Sequence, residues 1–337
     1  MATLASVADP TTTCSAHTRL YRGGELILEG FPVADISDHL AEPDSVIWLD
    51  LEDPDVADLQ LVVEELGLHP LAVEDAVNDR QRPKVDRYSD HLFLNAYVVS
   101  LDAESGQLVT REIAAFVTDR ALVTVRKDPT IEVAPLLAAW DGAQHNAGAG
   151  VSFLLHGLLD LVVDGHFAVV QDLDEAIDGL EDLLFDPAGQ SAELQRRSFE
   201  LRKSLVQLRR VVLPMREVVN TLLRRDLGIV EADMAPYYQD VYDHVLRVSE
   251  WTESLRDLVA TVLETNLTVQ GNRLNETVRK LTAYAAILAV TTAVTGFYGQ
   301  NVPYPGFGET AGFVTSVTVL ALSVVGLYAI FKRKGFL

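Results

Sequence analysis

The chain has 337 residues, 48% of them apolar and 23% charged, and its 27 basic and 49 acidic side chains leave a net charge of −22. That length allows about two domains, and a surface so acidic repels nucleic acid and attracts cations. The single cysteine, Cys14, excludes an intrachain disulfide framework and a cysteine-based zinc cluster.

No basic stretch followed by an apolar run opens the chain, so a cleaved signal peptide is not expected. Residues 1–18 hold Thr, Ser and Ala with little apolar periodicity and are expected to be disordered. Strand-like pieces follow at 26–28, 46–51, 92–99, 113–117 and 122–125, with helical patterns at 55–66 and 71–77. This alternation predicts an α/β domain over 19–130.

An antiparallel helical region is predicted over 131–235, with long helices at 151–185 and 192–226. Pro214 falls inside the second and is expected to kink or break it. The apolar stretch 151–170 has the hydropathy of a membrane span. His156, Asp160, Asp164 and His166 recur through it, so a packed helix is expected instead.

Between Pro236 and Pro303 there is no proline, and Gly271 is the only glycine before Gly296. A single helix over 236–298 would be roughly 90 Å long, more than a globular domain needs. Val241, Val245, Val248, Thr252, Leu255, Val259, Val262, Asn266 and Val269 alternate at spacings of four and three. This heptad-type seam predicts a bundle of identical stalks.

From Leu281 onward the only charges are Glu309, Lys332, Arg333 and Lys334, so residues 1–280 hold 24 basic and 48 acidic groups. Residues 281–298 and 311–331 are free of charge, and about 20 residues of helix cross a bilayer. Arg279 and Lys280 precede the first span, Lys332 to Lys334 follow the second, and the loop 299–310 has neither Lys nor Arg. The positive-inside rule therefore puts both termini, including the basic tail 332–337, in the cytoplasm. Small and hydroxylated residues along the first span suit a helix packed around a pore, and the bulkier second span suits lipid. One pair of spans encloses no pore, but several copies can.

At the outer end of the first span the sequence runs FYGQNVPYPG (297–306). Here the chain resembles the CorA family of magnesium and divalent-cation transporters, whose hallmark at this place is Tyr-Gly-Met-Asn. The resemblance extends to WLDLEDP (48–54), HPLAVEDAVNDRQRPKV (69–85), PYYQDVYDH (236–244), NRLNETVRKLT (272–282) and the basic tail. It implies a funnel-shaped homopentamer in the cell (inner) membrane: an α/β cytoplasmic domain, long stalk helices and two C-terminal transmembrane helices. By position in the matching blocks, Asn275, Val278, Leu281, Ala289, Thr292 and Gly296 would line the pore, with Gly299, Gln300 and Asn301 as selectivity filter. Magnesium sheds its waters reluctantly, and neutral amide oxygens can hold those waters without stripping them. Gln300 departs from the family's Met and adds a second amide.

The same resemblance implies magnesium bound between cytoplasmic domains as the signal for closure. Asp75 with Glu74, and Asp240, would form the main site, and Asp174 and Asp178 a second acidic cluster. Oxygen ligands suit that ion. Magnesium is the expected cargo, with cobalt beside it. Zinc or another transition metal is the alternative, although neither His nor Cys follows His244 in the chain. A non-conducting membrane-anchored sensor or scaffold is the third reading. No Gly-rich phosphate loop, nucleophile motif or site for a metal-activated water is present, so no enzyme is expected. His69, His91 and His244 are read as structural.

Overall fold

A computed structural model describes residues 12–78, 81–102, 106–184, 191–224, 227–300 and 302–337. Contacts divide the chain into two compact units, Met1–Ala260 and Thr261–Leu337.

The first unit is built on one seven-stranded sheet. Its strands are β1 (Ser15–Arg22), β2 (Glu25–Glu29), β3 (Ser45–Glu52), β4 (Lys84–Arg87), β5 (Leu92–Leu101), β6 (Leu108–Val117) and β7 (Ala121–Arg126), in the order β2-β1-β3-β7-β6-β5-β4. Among the described strands only β3 and β7 pair in parallel. One face carries Ile47, Leu49, Leu51, Val123 and Val125 into a core shared with the short helix α1 (Ile36–Leu40), α2 (Val56–Leu66) and α3 (Pro70–Val77). Asp55 caps α2 through Ala57 N–H and Asp58 N–H, Asp58 returns the bond to Asp55 N–H, and Gly67 closes the helix at φ 68°. At α3 the cap is His69, whose Nδ1 accepts from Leu71 N–H, with Pro70 opening the first turn.

β1 begins inside the stretch expected to be disordered, and it is polar. Its order comes from partners on both sides: β3 pairs with it along its whole length, and β2 from Arg19 to Arg22. Buried Arg19 is neutralised by Glu29 at 2.8 Å and Asp141 at 3.0 Å, and Thr18 Oγ1 donates to Phe31 O at 2.7 Å. Its buried side chains mix Ala16, Leu20 and Tyr21 with Thr18 and the paired Arg19, a pattern that apolar periodicity does not report.

The other face of the sheet packs on helices α4 (Ala134–Gly142), α5 (Val151–Leu184) and α6 (Ser191–Leu222), and holds a buried polar network. Arg126, 2% exposed, reaches Asp50, which is fully buried, at 2.7 Å, and Glu52 at 3.0 Å. Thr124 Oγ1 donates to Asp50 at 2.6 Å and accepts from Trp48 Nε1 at 3.1 Å. Trp48 meets Trp140 edge to face at 5.1 Å. Gly157 on α5 makes room for that stack, since a Cβ there would lie 2.3 Å from Trp140 Nε1.

Pro214 does not break its helix, and the seam of the long helix finds partners within the chain over its first part. α6 runs unbroken through Pro214, because Val211, Val212, Met215, Val218 and Val219 around it are all buried and packing outweighs the lost hydrogen bond. The long helix is α7 (Ala235–Tyr298). Of its seam, Val241 to Asn266 are at most 4% exposed within a single chain. Over its first part the partners are α5 and α6: Tyr238 Oη donates to Ser152 O at 2.9 Å, Trp251 meets Phe167 at 5.5 Å, and Glu253 pairs with Arg209. Over that first part the seam is already covered by the chain's own helices.

Among the described residues three helices are long and apolar enough to span a membrane, but 61% of the apolar window in α5 is buried by the protein, against 6% in α7 and none in α8 (Thr310–Arg333). α5 is therefore a core helix, while α7 and α8 keep their apolar surfaces for another medium.

His166 on α5 is wholly buried, and its Nε2 lies 2.8 Å from Tyr97 O. Nε2 must donate to that carbonyl, so Nδ1 carries no proton, and it has no partner among the described residues. Burial pushes this imidazole down to about 4. The unfolded chain binds the proton more readily, so stability is full above about pH 6.5 and falls as the pH drops toward about 4. We expect roughly 3 kcal/mol less stability at pH 4 than at pH 7 from this group. Urea unfolding across that range, with His166→Gln lacking this part of the decline, checks it.

Candidate ion pathway and metal-binding carboxylates

In the second unit, Asn275, Val278, Leu281, Ala289, Thr292 and Gly296 are all exposed on α7. At 3.6 residues per turn they share an arc of about 120°. Ala283, Ala286, Ile287, Val290, Thr291, Val294 and Tyr298, which are buried or half-buried, fall on roughly the opposite side of the same helix. Val294 and Tyr298 meet Ser316, Val317 and Leu320 of α8 across a cavity of about 300 Å³. The helix thus turns one side to α8 and leaves the other free.

The hydroxyls of this segment are satisfied locally. Thr282, Thr291, Thr292 and Thr295 each donate to the carbonyl four residues earlier, at 2.8 to 3.0 Å. For Thr292, on the free side, that bond spends the proton and leaves oxygen lone pairs able to accept from water.

α7 ends at Tyr298, just before the expected filter residues. Gly299 N–H donates to Thr295 O at 2.9 Å and Gln300 N–H to Phe297 O at 3.3 Å, and Gln300 is exposed. A Cβ on Gly299 would lie 3.0 Å from Thr295 O, so glycine suits this close turn. Asn301 lies outside the described residues. Beyond it an aromatic ladder runs from Tyr298 to Tyr304 (5.1 Å) and on to Phe307 (5.3 Å). Gly306, at φ 86°, presses on Gly312, the buried residue of α8. A Cβ on Gly312 would sit 2.2 Å from Gly306 O.

The expected metal-binding carboxylates separate into distinct places in the first unit. Asp75 is paired with Lys84 at 2.6 Å, beside an exposed Glu74. Asp240 is 69% exposed, 3.9 Å from His244 Nε2. Asp174 and Asp178 stand a turn apart on α5, the first half-buried and the second exposed, and gather no third ligand among the described residues. Instead Asp160, Asp164 and His244 come together, their ligand atoms within 4.8 Å of one another. Burial, then Asp160 and Asp240, raise the Asp164 carboxyl, while His244 opposes the rise. These carboxylates fit a hydrated magnesium ion, and the imidazole also admits cobalt or zinc. The i, i+4 pair Asp160 and Asp164 is visible in the sequence, but its meeting with α7 is not, because helix spacing does not say which neighbour a face meets.

Two membrane-competent helices, a free helix side carrying Asn275 and Thr292 among apolar residues, and an acidic α/β unit fit an ion-transport protein of the two-span type. The family model described as CorA-like Mg2+ transporter protein matches residues 43–333, and the chain belongs to that family, one of transporters rather than enzymes. It is 28% identical over 284 residues to the cobalt/magnesium transport protein CorA of Thermotoga maritima, covering 83% of this chain and 80% of that protein. Identity to the CorA of Methanocaldococcus jannaschii is 23% over 295 residues, covering 87% of this chain and 92% of the other. The complete structure of the CorA magnesium transporter from the latter organism superposes with a TM-score of 0.75 at 20% identity, over 96% of this chain and 98% of that one. That likeness shows the fold: an α/β domain, a long helix continuing toward the membrane and a second C-terminal helix.

Proposed function

We propose that the chain is one subunit of a homopentameric channel that admits magnesium down its electrochemical gradient and closes when intracellular magnesium binds. The observation that carries this reading is the exposed arc of α7, which holds every residue expected in the pore and lies away from the side facing α8. Residues 281–298 and 311–331 cross the membrane, the loop 299–310 lies outside, and the large acidic part and the basic tail lie in the cytoplasm.

Rings of Asn275, Thr292 and Asn301 hydrogen-bond the waters of a hydrated ion, and Val278, Leu281, Ala289 and Gly296 line the apolar stretches between them. Neutral oxygens hold the ion weakly enough to let it leave. At Gly299, Gln300 and Asn301 the mouth offers two carboxamides per subunit. Closure rests on Glu74, Asp75 and Asp240. The second acidic pair is better placed at Asp160 and Asp164, beside His244, than at Asp174 and Asp178.

Proteoliposomes with a negative interior test the reading. Magnesium influx is expected, and Asn301→Ala should lower it at least tenfold. In a variant carrying Asp75→Ala and Asp240→Ala, influx should persist at internal magnesium that shuts the parent channel. Uptake of zinc alone, or of no ion, would remove the magnesium reading. The imidazole of His244 favours a second one, in which cobalt or zinc fills the Asp160–Asp164–His244 cluster. Cobalt closing the channel at lower concentration than magnesium, an advantage lost in His244→Ala, would support it.

A further inference from the structure

Lys84 occupies the carboxylate that closure needs. It opens β4, pairs in register with Asn95 of β5, and bridges two acids: Asp75 of α3 at 2.6 Å and Asp86 at 2.8 Å. Its ammonium also stands 5.6 Å from the centre of the Phe93 ring. The side chain is 20% exposed, so it is held in place rather than waving in solvent, while Asp75 keeps 24% of its own surface open. One cation thus shares two carboxylates, with the exposed Glu74 next to them.

Resting on the reading that Asp75 binds the closing magnesium ion, we infer that Lys84 is a built-in competitor for that carboxylate, and that its charge sets the magnesium concentration at which the site fills. A divalent ion at Asp75 meets the ammonium a few ångströms away. A unit and a double charge about 5 Å apart repel, even with water's screening, by an amount worth roughly tenfold in affinity. Asp86 tunes the competition by drawing part of that charge away from Asp75.

The experiment is magnesium-dependent thermal stabilisation of the full-length protein in detergent, which reports binding without flux. Lys84→Met keeps the stem and removes the charge, and should lower the midpoint magnesium concentration about tenfold. Lys84→Arg should stay near the parent. Asp86→Asn commits the ammonium to Asp75 and should raise the midpoint severalfold, which keeps the inference testable if Lys84→Met does not fold. An unchanged or raised midpoint in Lys84→Met, or an unchanged one in Asp86→Asn, overturns the inference while leaving the closure site standing. Magnesium stabilisation that survives Asp75→Ala overturns both.

Discussion

Asp50→Ala should destabilise the acidic unit by about 3–5 kcal/mol, the cost of leaving a buried charge without its partner. Arg126 is 2% exposed and spends its guanidinium on Asp50 and Glu52. Glu52 is 30% exposed on its side chain and cannot replace a fully buried carboxylate. Thr124 loses its short bond to Asp50 in the same step and keeps only the longer one to Leu49 O at 3.4 Å, which weakens the support beneath Trp48. Replacing both charges, by Asp50→Leu with Arg126→Met, should recover most of the loss, because apolar groups of similar volume need no desolvated partner. Urea unfolding followed by tryptophan fluorescence reads this directly, since Trp48 and Trp140 stack on the network. A loss below about 1 kcal/mol for Asp50→Ala would mean that water reaches the guanidinium and that the network is not buried in solution.

Gly312→Ala should cut magnesium uptake at least tenfold while leaving the fluorescence of the acidic unit unchanged. The methyl group would fall 2.2 Å from Gly306 O and 2.7 Å from Gly306 C, and both obstacles are backbone. Gly306 is at φ 86°, so the loop is already at a conformation few residues adopt and has little room to retreat. Moving it shifts Tyr304 and Phe307, and through the ring contact with Tyr298 the disturbance reaches the end of α7, where the proposed filter begins. Gly326, with nothing near its missing side chain, supplies the control: alanine there should leave uptake intact. Equal uptake by the two variants would show that the loop does not position the mouth.

Much of this architecture follows from the chain's own chemistry. The absence of proline from 237 to 302 determines one long helix, and it runs from Ala235 to Tyr298. Loss of charge after Lys280 determines which surfaces can meet lipid, and α7 and α8 leave their apolar windows almost wholly uncovered. The spacing of Asn275, Val278, Leu281, Ala289, Thr292 and Gly296 determines that they share one side of a helix, whatever surrounds it.

Tertiary structure decided what covers each face. Periodicity in Val241 to Asn266 marks a seam but not its partner, and α5 and α6 turned out to supply one over its first part. The recurring His156, Asp160, Asp164 and His166 already pointed α5 to the protein interior, and 61% of its apolar window is buried there. The arginine of β1 can be buried because Glu29 of the neighbouring strand and Asp141 from far along the chain neutralise it. Asp160 and Asp164 met His244, and Asp75 met Lys84, by the same rule. A side chain's chemistry is local, whereas its partner is chosen by packing across tens of residues, and only the folded chain brings those residues together.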